Sequence, residues 1–220
     1  VKMDVQDVLL FLFFSSLEWL ALMVLTFAIF KFQLPGYWGR LLLSSFMLSL
    51  LSYMVLIELK LGVVASLIQV PIIFICFWQF FRIPVFYAGL MVVNGYVSYI
   101  LIQAIIISVF QLTGIVIAPN VPEGFIVQIL TSCIAFLLAW LLIRTNWGFT
   151  FVPDTDRVKV KWTKLNVRLL VMSIAGYAVL ATCSYLFFSG YTPVLVLILG
   201  TVVFGFLQYL VFKREYNEHG

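Results

Sequence analysis

Charge is scarce in this chain. Only 10% of its 220 residues are Asp, Glu, Lys or Arg, where a soluble domain carries about a quarter. Histidine occurs once, as His219, and no aspartate falls inside a long apolar run. Each absence removes a chemistry. A Ser or Cys nucleophile activated by histidine needs an imidazole beside it, and none is available within the apolar runs. Zincin-type metalloproteases need H-E-x-x-H, and nucleotide sites need a Walker or G-x-G-x-x-G loop; neither pattern occurs. An intramembrane aspartyl pair is excluded by the missing aspartates. The three cysteines, Cys76, Cys133 and Cys183, each lie in an apolar run without C-x-x-C spacing, so they read as small hydrophobes. No catalytic constellation, metal site or cofactor is expected, and the chain is not read as an enzyme.

Apolar residues make up what remains. They amount to 64% of the chain, with 22 Phe and a mean hydropathy of +1.15. Water cannot solvate such a surface, but a bilayer can. A helix needs about 20 apolar residues to cross the hydrocarbon. Seven runs qualify: residues 8–30, 41–57, 61–81, 85–112, 125–143, 165–188 and 193–212. The expected fold is all-α, a polytopic transmembrane bundle forming one domain over 1–220. The first run is too long for a signal-peptide core and lacks a basic n-region and an Ala-x-Ala site. The second is short, with room to extend past either boundary. The fourth is long enough to be tilted, or broken near Asn94-Gly95. Glu58–Lys60 and Ser189–Thr192 imply tight hairpins, and a six-helix bundle with one re-entrant run is the alternative.

The net charge is +4, but the cations sit in short segments between apolar runs. They read as topology determinants and headgroup contacts, and nucleic acid is not an expected partner. With the N-terminus outside, every Lys and Arg except Lys2 and Lys60 falls on the cytoplasmic side, which favours N-out and C-in. Thr113–Gly124 becomes a stiff external loop. Thr145–Lys164 becomes a basic cytoplasmic loop. Its Arg157, Lys159 and Lys161 alternate with apolar residues and would share one face of an extended segment. Trp162 would lie at the interface, and a cytoplasmic partner could dock there.

Polar residues within the runs are the candidate site. Glu18, in SSLEW, is the one clear intramembrane acid, and such residues are functional candidates by default. The fourth run carries Asn94, Tyr96, Ser98, Tyr99 and Gln103 near helical spacing. With Gln69 and Gln128 these could line a cavity open to the outside; alternatively they bridge helices by hydrogen bonds. Pro71 is expected to kink its helix and free a carbonyl near Gln69. Gly200 and Gly205 suit close helix packing. No internal repeat is evident, which counts against an inverted-repeat transporter.

Seven spans, a basic loop before the sixth, a short external turn before the seventh, and an exit helix ending FLQYLVFKREYNEHG resemble the membrane sensor region of AgrC-type bacterial receptor histidine kinases. The resemblance covers nearly the whole chain in architecture and includes no diagnostic motif. It implies a multi-pass protein of the bacterial plasma membrane that detects an extracellular peptide or small molecule. The signal would be relayed through the last helix, with Lys213 and Arg214, to a cytoplasmic kinase-type domain or partner. The kinase core of that family follows the exit helix and is not within these residues. Expected partners are therefore lipid, an external ligand, a cytoplasmic signalling partner and a second copy of the chain. Two other readings stay open: the substrate-binding membrane subunit of a multi-component transporter, and a structural or assembly subunit.

Overall fold

The computed structural model describes residues 5–32, 34–112, 122–153, 163–188 and 193–219. Within them the chain is helical, with no strand. A backbone without water must satisfy its own polar groups, which leaves the helix as the local solution for long apolar runs. Seven α-helices form: α1 Val5–Ile29, α2 Trp38–Tyr53, α3 Ala65–Gln79, α4 Val85–Leu112, α5 Pro122–Arg144, α6 Lys164–Phe188 and α7 Pro193–His219. A π-helical turn, Met54–Glu58, prolongs α2, and a 3-10 turn, Gly62–Val64, leads into α3.

Six helices are long and apolar enough to cross a membrane, counting α2 with its π turn. The exception is α3, whose 15 residues rise about 22 Å; the preceding 3-10 turn adds about 6 Å. Its start lies beside α6, where Ser66 Oγ donates to the Leu180 carbonyl (3.4 Å). Its end lies beside the start of α2, where Arg40 donates to the Phe80 carbonyl (3.1 Å). Thus α3 runs antiparallel to α2 from one end of the bundle to the other.

Pro71 sits within α3 without breaking it. A proline deprives the carbonyl four residues earlier of its donor, so the freed group is that of Leu67, two residues from Gln69. Tyr177 of α6 supplies the replacement, its hydroxyl donating to the Leu67 oxygen at 3.0 Å. Likewise α4 is one unbroken helix through Asn94-Gly95. Its glycine serves packing: a Cβ on Gly95 would fall 1.8 Å from Thr26 Oγ1, so α1 and α4 touch here. Gly200 is similarly pressed against Leu101, whereas Gly205 has open space around it.

One end of the bundle is plugged by rings. Phe27 packs on Phe77 (5.3 Å), Phe81 (5.0 Å) and Phe32 (5.2 Å). The segment after α5 folds back into the same plug: the Phe149 amide donates to the Ile29 carbonyl at 2.8 Å, and its ring meets Phe30 and Phe212. Gly148 permits this approach, with φ of +143° and a Cβ position 2.6 Å from that same carbonyl oxygen. At this end lie the C-termini of α1, α3, α5 and α7 and the N-termini of α2, α4 and α6. Every described Lys and Arg except Lys60 is found here. The opposite end is marked by the Phe11–Tyr53 (5.9 Å) and Phe14–Phe125 (5.2 Å) contacts. Lys60 there turns the chain between α2 and α3 with φ of +54°, closed by a Leu61 amide to Val55 carbonyl bond of 2.8 Å. The hairpin at Ser189–Thr192, most of the external loop, and Arg157, Lys159, Lys161 and Trp162 lie outside the described residues.

Candidate functional site

Within the bundle, three helices share one hydroxyl, and a fourth joins through a glutamine. Trp19 of α1 donates its indole N–H to Ser52 Oγ of α2 at 2.8 Å. Gln69 of α3 donates Nε2 to the same oxygen at 3.1 Å, and that hydroxyl donates to the Leu48 carbonyl at 2.9 Å. Two acceptor positions and one donor exhaust what a serine offers. The Tyr96 hydroxyl of α4 then donates to Gln69 Oε1 at 3.3 Å, with its ring 6.0 Å from that of Trp19. Gln69 is only 6% exposed. Tyr99, three residues on, shares a 3.3 Å hydrogen bond with Ser132 of α5. Polar pairs of this kind hold membrane helices together, each contributing about 1 kcal/mol.

Glu18 does not join this bonding. It is half-buried, it lies within electrostatic range of the Tyr96 and Tyr99 phenols, and none of the described side chains is hydrogen-bonded to its carboxylate. Its depth follows from helix register. Phe14 of α1 meets Phe125 of α5, and the two helices run parallel, so Glu18 and Gln128 each lie about one turn further in from that contact. Tyr99 meets Ser132, so Gln103 and Gln128 each lie about one turn back from that bond, toward the Phe14 end. Glu18, Gln103 and Gln128 therefore share one level. Gln103 is half-buried. Gln128 Oε1 is buried and accepts no hydrogen bond. Gln69 is thus bonded to α4 and Tyr99 bonds from α4 to α5, whereas Glu18, Gln103 and Gln128 are related by their shared level.

Asn94 is separate. It is fully buried and its Oδ1 accepts from Gln208 Nε2 of α7 at 2.9 Å. Ser98 turns back onto the Asn94 carbonyl at 2.7 Å. This pair connects α4 to α7 rather than to the Glu18 cluster.

Lys213 and Arg214, adjacent in sequence, part company. Lys213 is exposed, while Arg214 is 5% exposed. The Arg214 guanidinium donates to Asn166 Oδ1 of α6 and to the Tyr87 hydroxyl of α4, the latter at 2.9 Å. It lies over the rings of Phe151 (4.7 Å), Tyr87 (5.1 Å) and Phe86 (5.8 Å). Next to it, Glu215 accepts from the Thr150 amide at 3.0 Å and from its hydroxyl at 2.6 Å. The last turns of α7 are thus clasped by α4, α6 and the segment after α5. Sequence reasoning passed over Tyr87, Asn166, Thr150, Phe151 and Glu215 because nothing local links them. The one available signal was the Phe149/Phe151 pair, apolar rings in an otherwise hydrophilic loop.

Among the described residues, no group of three or more His, Cys, Asp or Glu comes together to hold a metal. What the arrangement offers is recognition: one carboxylate and an amide oxygen without a donor at one level of the bundle, the carboxylate within electrostatic range of two phenols. No protein-family model, curated protein or solved structure significantly matches the chain.

Proposed function

We propose that this chain is a membrane-embedded receptor module. An external peptide or small molecule would bind at Glu18, and the shift would pass through α4 to α7 and on to a cytoplasmic partner or domain. The observation that carries the reading is the double attachment of α4. Its Tyr96 and Tyr99 lie within electrostatic range of Glu18, while Asn94 and Tyr87 of the same helix hold Gln208 and Arg214 of α7. A helix tied to both places transmits a rigid shift between them. The collection of cations at the α7 exit supports placing that end in the cytoplasm and the N-terminus outside.

The reading of a purely structural subunit is supported by the helix-bridging bonds of Gln69, Tyr96, Tyr99 and Asn94, but it gives no role to Glu18. Thermal unfolding in detergent separates the two. Fluid from outside the source cells should contain a component that raises Tm by several degrees, since a ligand at a hundredfold its Kd stabilises by about 2.7 kcal/mol. Glu18→Gln should abolish that rise. A chain whose Tm ignores the fluid, or responds identically with Glu18→Gln, does not sense through this site.

A further inference from the structure

The chemistry of the Glu18 site also names a class of ligand, and this inference rests on the receptor reading. Every described Lys and Arg sits at one or other end of the bundle, so none of the described cations reaches the depth of Glu18. A carboxylate within a span is costly without a counter-charge or a proton. At the same level, Gln128 Oε1 is a buried acceptor without a donor. The site therefore lacks two things together, positive charge and N–H donors. Nearby, the rings of Trp19 and Tyr96 pack 6.0 Å apart, and aromatic rings attract cations and pack against apolar groups. At the Phe14 end of the bundle, the charged side chains described are Asp7 and Glu58 against Lys60, a balance that draws cations rather than anions.

We propose that the Glu18 site takes a protonated primary amine bearing an aromatic or apolar group, its ammonium answering the Glu18 carboxylate and Gln128 Oε1. One ammonium carries three donors and the missing charge. A proton on Glu18 would supply only one donor. The amine could belong to a small molecule or to the N-terminus of a peptide.

The test uses the full chain in nanodiscs and four probes: 2-phenylethylammonium, its uncharged analogue 2-phenylethanol, Phe-Phe amide, and N-acetyl-Phe-Phe amide. Tm is read against probe concentration. The two amines should raise Tm, with apparent affinity at least tenfold above their uncharged counterparts. Glu18→Gln should weaken the amines at least tenfold and leave the neutral probes unchanged. A tighter response to the dipeptide amide assigns the ammonium to a peptide terminus, and the reverse order assigns it to a small amine. Equal responses to amine and alcohol, no response to any probe, or full affinity with Glu18→Gln would each overturn the proposal. If Glu18→Gln does not fold, the amine-to-alcohol contrast on the unaltered chain decides alone. A failure here, alongside a Glu18-dependent response to extracellular fluid, would discard the amine and keep the receptor.

Discussion

Replacing Arg214 with alanine is expected to destabilise the folded chain by about 3 kcal/mol. The guanidinium makes hydrogen bonds to Tyr87 and Asn166, and bonds to a charged donor contribute about 1.5–3 kcal/mol each. Stacking over three rings adds about 1 kcal/mol or more where water is excluded. Against this stands the cost of keeping a cation buried, which alanine removes, so the net falls below the gross sum. Lysine at this position keeps the charge but loses the planar fork that reaches two acceptors at once; its loss should be about half as large. Methionine separates packing from hydrogen bonding. If the box needs only to be filled, Met will be close to neutral; if the latch depends on the fork, Met will behave like alanine. Thermal unfolding in detergent ranks the three, and protease cleavage within residues 145–153 should speed up in the same order. Equal stability of all three variants would mean that α7 is held by its apolar face alone.

A second large effect is expected at Gly95. Alanine in a helix ordinarily gains about 1 kcal/mol over glycine. Here the added methyl group would sit 1.8, 2.8 and 2.9 Å from Oγ1, Cβ and Cγ2 of Thr26. No rotation of that side chain relieves the clash, because its Cβ is itself too close, and the Thr26 hydroxyl is held by the Leu22 carbonyl at 2.7 Å. The helices must separate, and overpacking of this kind costs about 1–3 kcal/mol, occasionally more. Gly95→Ala should therefore destabilise by about 2 kcal/mol, and Gly95→Leu should prevent folding. The control is Thr26→Gly in the same chain. It should recover most of the Gly95→Ala loss, while Thr26→Ala should recover little, because a Cβ remains. Additive losses in the double variant would show that α1 and α4 do not touch at this point.

The all-helical class and the apolar runs were legible because both follow from composition and length. A bilayer admits few alternatives once 20 apolar residues are in line. The limits of legibility appear at particular residues. Of the two outcomes expected for the long fourth run, a tilt or a break near Asn94-Gly95, the break did not form; a glycine at a helix crossing and a glycine at a kink look alike in sequence. Pro71 was visible, but the group it frees and the group that replaces its donor lie on different helices, and only packing pairs Leu67 with Tyr177. Lys213 and Arg214 were taken as a matched pair on the exit helix. Two neighbours on a helix point about 100° apart, and that rotation puts one in solvent and the other in an aromatic box. The polar side chains of the candidate site could be named from their cost in a membrane. Their partners Ser52 and Ser132 could not, because serine in an apolar helix is commonplace and gains meaning only from what faces it.

The central claim is that a ligand at Glu18 reaches α7 through α4. Double electron–electron resonance tests it most directly, with spin labels at Arg144→Cys and Lys213→Cys, both exposed positions, and Cys76, Cys133 and Cys183 replaced by alanine. Distances are recorded with and without the extracellular fraction that raises Tm. The account predicts a new distance component displaced by about 1–2 Å or more. It should be lost with Glu18→Gln through failed binding, and lost with Asn94→Leu although binding persists. An unchanged distance distribution in a chain shown to have bound the ligand would contradict the account.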